Sequence, residues 1–365
     1  MFTGRGGVDV GMRAAGIEIA WGIEYDPAIA EVARANGMLV TVADILDADP
    51  VCFERVDVLH ASPPCPNFST AKTDGGETQH DVALAGGIGA FIEALLPPIF
   101  TLENVYAYRR SRSFYHILEV LRRNDYMYAF GHINAADFGV PQTRRRLILR
   151  AVRHGLVPLL PSPEPWRGWY DAIADLIDDL PESQLAQWQL ERLPETMRTS
   201  LIANSGFRDE IVTREHREPA FTVTANTNQT GVRALLISGA GRGDKLCVTR
   251  QIKEPAATVV ASEEKRPTRA LLIGDQSANA GKGVQVREAS EPAMTVRAME
   301  NGGATPRAIS KTRVVAMMPR ALARFQSFPD SYRLPEAHGL ACRVIGNAVP
   351  PLMYQKVISQ LVTDR

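Results

Sequence analysis

The sequence has little of several features that assign a protein to a class. It has no run of about 18 apolar residues, so we expect no membrane-spanning helix. Its four cysteines, Cys52, Cys65, Cys247 and Cys342, lie far apart without a CxxC pair, a spacing that favours neither a disulfide framework nor a metal site. The opening residues, MFTGRGG, lack the apolar stretch of a signal peptide. We therefore expect a cytoplasmic protein without a bound metal ion.

Net charge is also absent, because 41 basic residues balance 41 acidic ones. Taken alone, this balance argues against a nucleic-acid partner. The distribution is uneven, however: residues 101–153 contain ten Arg against four acidic residues, whereas residues 171–195 contain one Arg against seven acidic residues. A locally basic face can therefore coexist with a neutral total, although ordinary solvated surfaces explain the same charges.

The first half of the chain alternates short apolar runs with helical patterns. The predicted strands cover residues 19–24, 39–43, 56–62, 99–103 and 147–152. The predicted helices cover residues 26–36, 83–96 and 114–124. Strands that alternate with helices predict a mostly parallel sheet with helices on both faces.

The second half begins with a proline-rich connector and then repeats itself. Four prolines punctuate residues 158–165, and short β-like runs with many turn residues fill residues 213–309. The pattern EPAxTV starts at Glu218, Glu254 and Glu291. A second pattern, RALLI, starts at Arg233 and Arg269 and is weaker at Arg307. We interpret these patterns as about three copies of one β unit, which either contacts a ligand or is purely architectural.

A glycine-rich opening and two acidic residues indicate a ligand that contains a nucleoside. The motif FTGRGG at residues 2–7 precedes a helical pattern, and glycines let a backbone turn approach a ligand closely. Asp9 stands where the third glycine of a dinucleotide fingerprint would fall. Glu24 and Asp44 end the next two predicted strands at the sheet edge where ligands of such folds bind. Ordinary turn glycines and helix caps would give the same pattern.

Cys65 lies in a proline-stiffened loop, SPPCPNFS at residues 62–69, directly after the predicted strand 56–62. A cysteine held in a rigid loop at the carboxyl end of a strand can act as a thiolate nucleophile. The alternative is a small buried cysteine in a proline-rich turn.

Three further charged residues suit a catalytic site. Glu103 ends another apolar run, where a carboxylic acid can act as a general acid beside a nucleophile or merely cap a helix. Arg144 and Arg146, in the motif QTRRR, precede a predicted strand. They can bind phosphate or polarise a carbonyl oxygen, or form a solvated basic turn.

Taken in order, these motifs resemble the ten-motif scheme of the cytosine-C5 DNA methyltransferases. The glycine loop is similar to the first motif, Glu24 and Asp44 to the next two acids, and PPC followed by FS to the nucleophile loop. ENV at residues 103–105 and QTRRR are similar to the sixth and eighth motifs. RFQSFP and IGNAVP, near the carboxyl end, resemble the ninth and tenth. Members usually have an apolar strand ahead of the glycine loop and a glutamine after the nucleophile, whereas here Met1 precedes Phe2 directly and Pro66 follows Cys65.

The resemblance implies an α/β fold, the Rossmann-like mixed sheet of the S-adenosylmethionine-dependent methyltransferases with helices on both faces, plus a smaller β-rich target recognition domain. Residues 1–155, completed by residues 311–365, would form the catalytic and cofactor-binding domain. Residues 156–310, with the repeats at 218–309, would form the target recognition domain.

The resemblance also implies roles for individual residues. Cys65 would add to C6 of cytosine, Glu103 would hold or protonate N3, and Arg144 and Arg146 would stabilise the base oxygen. The residues implied in binding S-adenosylmethionine, and S-adenosylhomocysteine as product, are Phe2, Gly4, Gly6, Gly7, Glu24, Tyr25, Asp44, Ile45, Pro64, Asn347 and Ala348. The residues expected to contact DNA are Ser69, Asn226, Asn228, Gln229, Lys265 and Arg266, most of which are types that pair with base edges.

The sequence leaves alternative functions open. An RNA cytosine methyltransferase of the same fold is the nearest, although a large β-rich insert suits duplex DNA better. A catalytically silent DNA-binding relative is disfavoured because Cys65, Glu103, Arg144 and Arg146 are all present. A nicotinamide dehydrogenase is disfavoured by the missing third glycine, and amino-methylating DNA enzymes by the cysteine that follows Pro-Pro, where they have an aromatic residue.

The resemblance sets the expected partners. We expect double-stranded DNA as the substrate, no membrane contact, and a monomer in the cytoplasm of a prokaryotic or phage-infected cell. A restriction endonuclease that acts on the same site is the further partner that the resemblance allows.

Overall fold

The computed structural model describes residues 1–64, 76–182, 218–220 and 315–362 with their side chains. It also describes the backbone of short strands at residues 200–204, 211–215, 233–236, 270–274, 285–287, 307–310 and 313–314. Within these residues, no helix has both the length and the hydropathy that crossing a membrane requires. Contacts divide the chain into two units, Met1–Ile173 with Arg217–Asn228 and Pro319–Arg365, and Ala174–His216 with Gln229–Met318.

The first unit alternates helices and strands along its amino-terminal part. In chain order these elements are α1 (Gly7–Ala14), β1 (Gly22–Glu24), α2 (Pro27–Ala35), β2 (Val40–Val42), β3 (Val58–Ala61), α3 (Gln79–Leu95), β4 (Ile99–Asn104), α4 (Arg112–Arg123), β5 (Met127–Asn134), β6 (Arg145–Val152) and α5 (Trp169–Ile173). Every strand and helix that the sequence predicted here is present, with shifted ends.

The pairing of these strands is mixed. β1 pairs with β2 in parallel, and β3 pairs with β4 in parallel within the four-stranded order β3-β4-β6-β5. β6 runs antiparallel to both β4 and β5. The mixed sheet implied by the resemblance is therefore confirmed, and the mostly parallel sheet predicted from alternation is wrong at β5 and β6. The error has a physical cause: the antiparallel pairing of β5 and β6 is set by contacts across the whole sheet, which the alternation of elements along the chain does not reveal.

The core lies on both faces of the central strand β4, all of whose residues are buried. Phe100 and Leu102 belong to one apolar cluster with α3 and α4. Ile99 belongs to a second cluster with the carboxyl-terminal helix α8 (Pro351–Val362). Successive residues of a strand point to opposite faces, so β4 is packed between helices on both sides.

Local capping fixes the helix boundaries next to the sheet. The Asp26 carboxylate accepts hydrogen bonds from the backbone N–H groups of Ala28 and Ile29, and Pro27 occupies the first helical position of α2. Thr78 and Asp81 form a reciprocal capping box at the start of α3. Helix α3 therefore begins four residues before the predicted Ala83.

The first three residues lie between β1 and β3. The amino group of Met1 donates to the His60 carbonyl at 2.7 Å, and the Thr3 N–H donates to the Ile23 carbonyl at 2.8 Å. Within residues 1–64 no strand precedes α1. Residues 1–3 thus connect the sheet of β1 and β2 to the sheet that contains β3, through one hydrogen bond to each.

The carboxyl-terminal helices belong to the same unit. They are α6 (Pro319–Phe325), α7 (His338–Asn347) and α8. Helix α8 packs against α1, where glycines permit close approach: a Cβ on Gly7 would clash with the Val349 carbonyl, and a Cβ on Gly11 with that of Pro351. The motif IGNAVP, at the end of α7, is thereby placed beside the glycine loop.

The second unit contains antiparallel strands. They are β7 (Ser200–Asn204), β8 (Ile211–Glu215), β9 (Arg233–Leu236), β10 (Ala270–Gly274), β11 (Gln285–Arg287), β12 (Arg307–Ser310) and β13 (Arg313–Ala316). They form one sheet of order β13-β9-β7-β8 and another of order β11-β10-β12. The three copies of the second repeated pattern form β9, β10 and β12. The copies are therefore alike in local structure but not in sheet position, because β10 pairs with β12 while β9 pairs with β7 and β13.

Candidate active site

The residues that lead into Cys65 are held at the end of β3. His60 Nε2 lies 2.7 Å from Ser62 Oγ. From β4, Asn104 Nδ2 donates to the Pro63 carbonyl at 3.1 Å. Cys65 itself lies outside the described residues, as does Ser69. The start of the nucleophile loop is therefore anchored by two side chains that come from adjacent strands.

Glu103 and Arg146 form an ion pair next to this loop. Glu103 lies near the end of β4, and Arg146 lies on β6, which is paired antiparallel with β4. Arg146 Nε is 2.9 Å from Glu103 Oε1, and the two side chains are only 14% and 9% exposed. A guanidinium beside a buried carboxylate offsets its desolvation. The structure thus brings together two of the residues that the sequence placed in catalysis.

Arg144 has a different environment. Its side chain is buried, and Nη2 donates to the Gly346 carbonyl in α7 at 3.0 Å. The Arg144 backbone N–H donates to Asn134 Oδ1 at 2.9 Å. These contacts connect the QTRRR motif to the IGNAVP motif, so Arg144 is placed to fix the position of the neighbouring Arg146.

The glycine loop is held by one of the predicted acidic residues. Glu24 Oε2 accepts a hydrogen bond from the Gly4 N–H at 2.8 Å, and Oε1 accepts one from the Asp26 N–H at 2.9 Å. Gly4 and Gly6 have φ values of 57° and 67°, in the left-handed region that favours glycine. Glu24 therefore fixes the loop whose glycines were predicted to approach the cofactor.

A cavity of about 670 Å³ lies beside this loop. Five residues predicted to bind the cofactor line it: Phe2, Gly4, Gly7, Asn347 and Ala348. The remaining wall comes mainly from residues 16–21 and 54–60. Burial of Asp9, also on this wall, raises the pKa of its carboxyl, and the nearby amino group of Met1 opposes that shift.

The other residues predicted to bind the cofactor do not line that cavity. Ile45 is buried in the apolar cluster of α3 and α4. Tyr25 is 71% exposed, and Asp44 accepts a hydrogen bond from the Leu46 N–H at 2.9 Å. Glu24, Gly6 and Pro64 are likewise not part of the cavity wall.

An aromatic and basic cluster lies at the same edge of the sheet as Glu103. The rings of Tyr106 and His132 are in contact at an interplanar angle of 31°, with 4.3 Å between their centroids, and the Arg109 guanidinium lies 4.1 Å from the centre of the Tyr106 ring. Burial, followed by the positive charges of Arg145 and Arg109, lowers the pKa of His132. We call these four residues the basic cluster.

The sequence reasoning missed several of these features. Asn104 lies within the ENV motif and was not predicted as a site residue, although its side chain donates to the Pro63 carbonyl. His60 carried a detectable signal, since it is a polar residue inside an apolar run. The predicted DNA contacts Asn226, Asn228, Gln229, Lys265 and Arg266 lie outside the described residues.

Known sequences resemble the chain over most of its length. The sequence profile of the C-5 cytosine-specific DNA methylases matches residues 1–363. The type II methyltransferase M.XorII of Xanthomonas oryzae is 24% identical, over 99% of this chain and 83% of its own length. M.AquIA of Picosynechococcus is 28% identical, over 57% of this chain and 97% of its own length. M1.HphI of Haemophilus parahaemolyticus is 27% identical, over 58% of this chain and 62% of its own length.

Solved structures show the same fold. The S. pombe Dnmt2 methyltransferase aligns with a TM-score of 0.56 at 15% identity, over 100% of this chain and 96% of that one. The Entamoeba histolytica methyltransferase EhMeth aligns with a TM-score of 0.58 at 11% identity, with the same coverage. The expected methyltransferase fold is confirmed. The chain belongs to the C-5 cytosine-specific DNA methylase family and is a DNA (cytosine-5)-methyltransferase with relatives of the restriction–modification type.

Proposed function

We propose that the chain methylates C5 of a cytosine that is flipped out of a specific duplex DNA sequence, through a covalent bond between Cys65 and C6. The observation that carries this proposal is the buried Glu103–Arg146 pair beside the anchored start of the Cys65 loop. Together these groups offer a nucleophile, a carboxyl group and a cation at one edge of the sheet.

The chemistry follows from the weak nucleophilicity of cytosine C5. The Cys65 thiolate adds to C6, and the electrons of the C5–C6 double bond then make C5 nucleophilic. After C5 has been methylated, a water molecule accepts the C5 proton, the electrons of that C–H bond restore the C5–C6 double bond, and the Cys65–C6 bond breaks to return the thiolate. Covalent catalysis of this kind divides one difficult step into easier ones.

Glu103 and Arg146 limit the charge that this addition creates. Glu103 holds a proton at N3, so that negative charge does not accumulate on the ring. Arg146 lies within hydrogen-bonding distance of that carboxylate and donates toward the base oxygen. Arg144 donates a hydrogen bond to the Gly346 carbonyl and thereby fixes the backbone that positions Arg146.

The cofactor proposed is S-adenosylmethionine, which supplies the methyl group when bound. The cavity beside the glycine loop supports this choice, because Phe2 and Gly4 from the amino-terminal part and Asn347 from the carboxyl-terminal part all line it. Phe2 would pack on the adenine and Asn347 would close the site. Glu24 would accept a hydrogen bond from a ribose hydroxyl, and Asp44 would accept one from the adenine amino group. Each carboxylate now accepts a hydrogen bond from a loop N–H group, so these contacts would require small movements of the loops.

Duplex DNA supplies the base at an energetic cost. Extruding a nucleotide costs a few kcal/mol, which contacts to the phosphate backbone can offset. The basic cluster is suited to that contact because the positive charges of Arg109 and Arg145 both act on His132, beside the Tyr106 ring. We assign sequence recognition to residues 156–310, through Asn226, Asn228, Gln229, Lys265 and Arg266.

The setting proposed is the cytoplasm of a prokaryotic or phage-infected cell, where the protein acts as a monomer. A restriction endonuclease that cuts the same sequence would be its partner. The names of the type II relatives support this setting.

A transfer assay tests the proposal. Purified protein is incubated with S-adenosylmethionine labelled in the methyl group and with unmethylated duplex DNA, and the DNA is then digested to nucleosides. Label in 5-methyl-2′-deoxycytidine is the expected result. Label in N4-methylcytosine or N6-methyladenine, or transfer to RNA alone, would contradict it.

A further inference from the structure

A buried chain of hydrogen bonds runs from α8 to the segment that leads into Cys65. The Tyr354 hydroxyl of α8 lies 2.7 Å from Thr101 Oγ1 of β4. Thr101 Oγ1 lies 2.8 Å from His60 Nδ1 of β3, and His60 Nε2 lies 2.7 Å from Ser62 Oγ. Tyr354, Thr101 and His60 are all buried. The chain therefore connects the core to a residue three positions before Cys65.

The imidazole at the centre of this chain is fixed in orientation. Burial, followed by the charge of the Met1 amino group, lowers the pKa of His60 well below its usual value, so the ring is neutral. A neutral imidazole has one donor nitrogen and one acceptor nitrogen, and hydroxyl groups can serve as either partner. Thr101 and Ser62 therefore satisfy both nitrogens in either tautomer. The Tyr354 ring packs edge-on against the His60 ring, with 4.8 Å between centroids.

A residue that merely filled the core here would be apolar. The neighbours of His60 in β3, Leu59 and Ala61, are apolar and buried. Burying an imidazole is unfavourable unless its nitrogens are paired. One of the two pairings reaches Ser62, which lies beyond the end of β3 and outside the backbone ladder of the sheet. The hydrogen bond to Ser62 thus fixes the loop and not the strand.

We propose that His60 is a positioning residue, which fixes Ser62 and thereby the direction in which Pro63 and Pro64 present Cys65. This inference rests on the proposed function, because its effect is on the reach of the Cys65 thiol. Proline holds φ at about −65°, so two successive prolines transmit the orientation of Ser62 along the chain. A displacement of about 1 Å at a reacting atom can slow a reaction about 100-fold.

The test compares variants that break either end of the His60 contacts. Ser62→Ala removes the contact to the loop. His60→Gln can place an amide where Nε2 lies, whereas His60→Asn can place one where Nδ1 lies. The matched control is Tyr126→Phe, which removes another buried hydrogen bond, to the Pro97 carbonyl, in the same unit but away from the loop.

The rate measured is covalent adduct formation on duplex DNA that contains 5-fluorocytosine at the methylated position, alongside DNA affinity and Tm. We expect Ser62→Ala and His60→Asn to slow adduct formation about 10- to 100-fold, with unchanged DNA affinity. His60→Gln should recover most of the rate. Tyr126→Phe should lower Tm without slowing the adduct step.

Two results would overturn the inference while the proposed function stands. One is an adduct rate for Ser62→Ala equal to that of the wild type. The other is an equal loss of rate in Tyr126→Phe, since the effect would then follow stability. If the wild type forms no adduct, the proposed function fails, and this inference fails with it. Should Ser62→Ala not fold, the contrast between His60→Gln and His60→Asn decides.

Discussion

Strand β4 of the first unit and strands β9, β10 and β12 of the second differ in how their sequences are used. The sequence of β4 is not repeated, and each of its polar residues contacts a different group. Thr101 contacts His60 and Tyr354, Glu103 contacts Arg146, and Asn104 contacts Pro63. The other three strands reuse one sequence pattern. A strand whose side chains each have a separate partner is suited to one reaction. A strand pattern used three times leaves its connecting loops free to differ.

The comparison teaches where function can change. We infer that the first unit carries the methyl-transfer chemistry and that the loops after the repeated EPAxTV pattern carry sequence choice. Substitutions in the first unit outside residues 217–228 should then alter the rate, the cofactor affinity or the DNA affinity, while the methylated sequence stays the same. Substitutions in those loops should alter which DNA sequence is methylated, while the rate of methyl transfer stays the same.

The largest effect is expected at Glu103. Glu103→Gln removes the carboxylate that pairs with Arg146 and holds the proton at N3. General acid–base groups contribute about 100- to 10,000-fold, so we expect a loss of that order in single-turnover transfer. Glu93→Gln is the control, because Glu93 forms a half-exposed ion pair with Arg123 on the surface. Equal rates for Glu103→Gln and the wild type would remove Glu103 from the mechanism.

A smaller effect is expected at Glu24. Glu24→Ala removes the acceptor that holds the Gly4 N–H and that we assign to the ribose. A hydrogen bond to a charged group contributes about 1.5–3 kcal/mol, so the Kd for S-adenosylmethionine should rise about 10- to 150-fold. Calorimetry measures the Kd, with DNA affinity as the control. An unchanged Kd would show that Glu24 stabilises the glycine loop and does not contact the cofactor.

Next in size is the effect of the basic cluster on DNA. Tyr106→Ala removes the ring between His132 and Arg109 and should weaken DNA binding by about 1–3 kcal/mol. Arg145→Ala should reduce the slope of log K against log salt by about one. Arg123→Ala, in the surface pair with Glu93, is the control. Salt slopes that are alike for Arg145→Ala and Arg123→Ala would exclude a phosphate contact at Arg145.

The smallest effect on rate is expected in the recognition loops. Replacing Asn226, Asn228 and Gln229 with Ala should change or relax the methylated sequence while transfer continues. Bisulfite sequencing of plasmid from an expressing host measures the sequence. The same methylated sites at normal activity would place recognition elsewhere.

The first unit shows which features a sequence can predict. Helix α2 was predicted to within one residue because Asp26 and Pro27 form a cap that is local in the chain. The Glu103–Arg146 pair was predicted as two candidates, but their contact depends on the antiparallel register of β4 and β6. Register is set by the whole sheet, and alternation of elements favoured a parallel arrangement instead.

Other site residues depended on burial, which local sequence does not reveal. Ile45 packs into the core beside Gly87, and its predicted contact with the cofactor stays a prediction. The chain from Tyr354 to Ser62 joins residues far apart in sequence, and no short motif predicts it. Strand β5 was not predicted, because its apolar residues do not alternate with polar ones and Ile133 alone among its eight residues is buried.

The most direct test of the central claim is covalent capture by Cys65. Wild-type protein, S-adenosylmethionine and duplex DNA with 5-fluorocytosine at the methylated position should give a complex that survives denaturation, because fluorine cannot leave as a proton does. Peptide mapping should place the bond at Cys65. Cys65→Ser should give no complex, whereas Cys52→Ser, at an exposed cysteine, should give as much as the wild type. A complex formed by Cys65→Ser, or a bond mapped to another residue, would contradict the account.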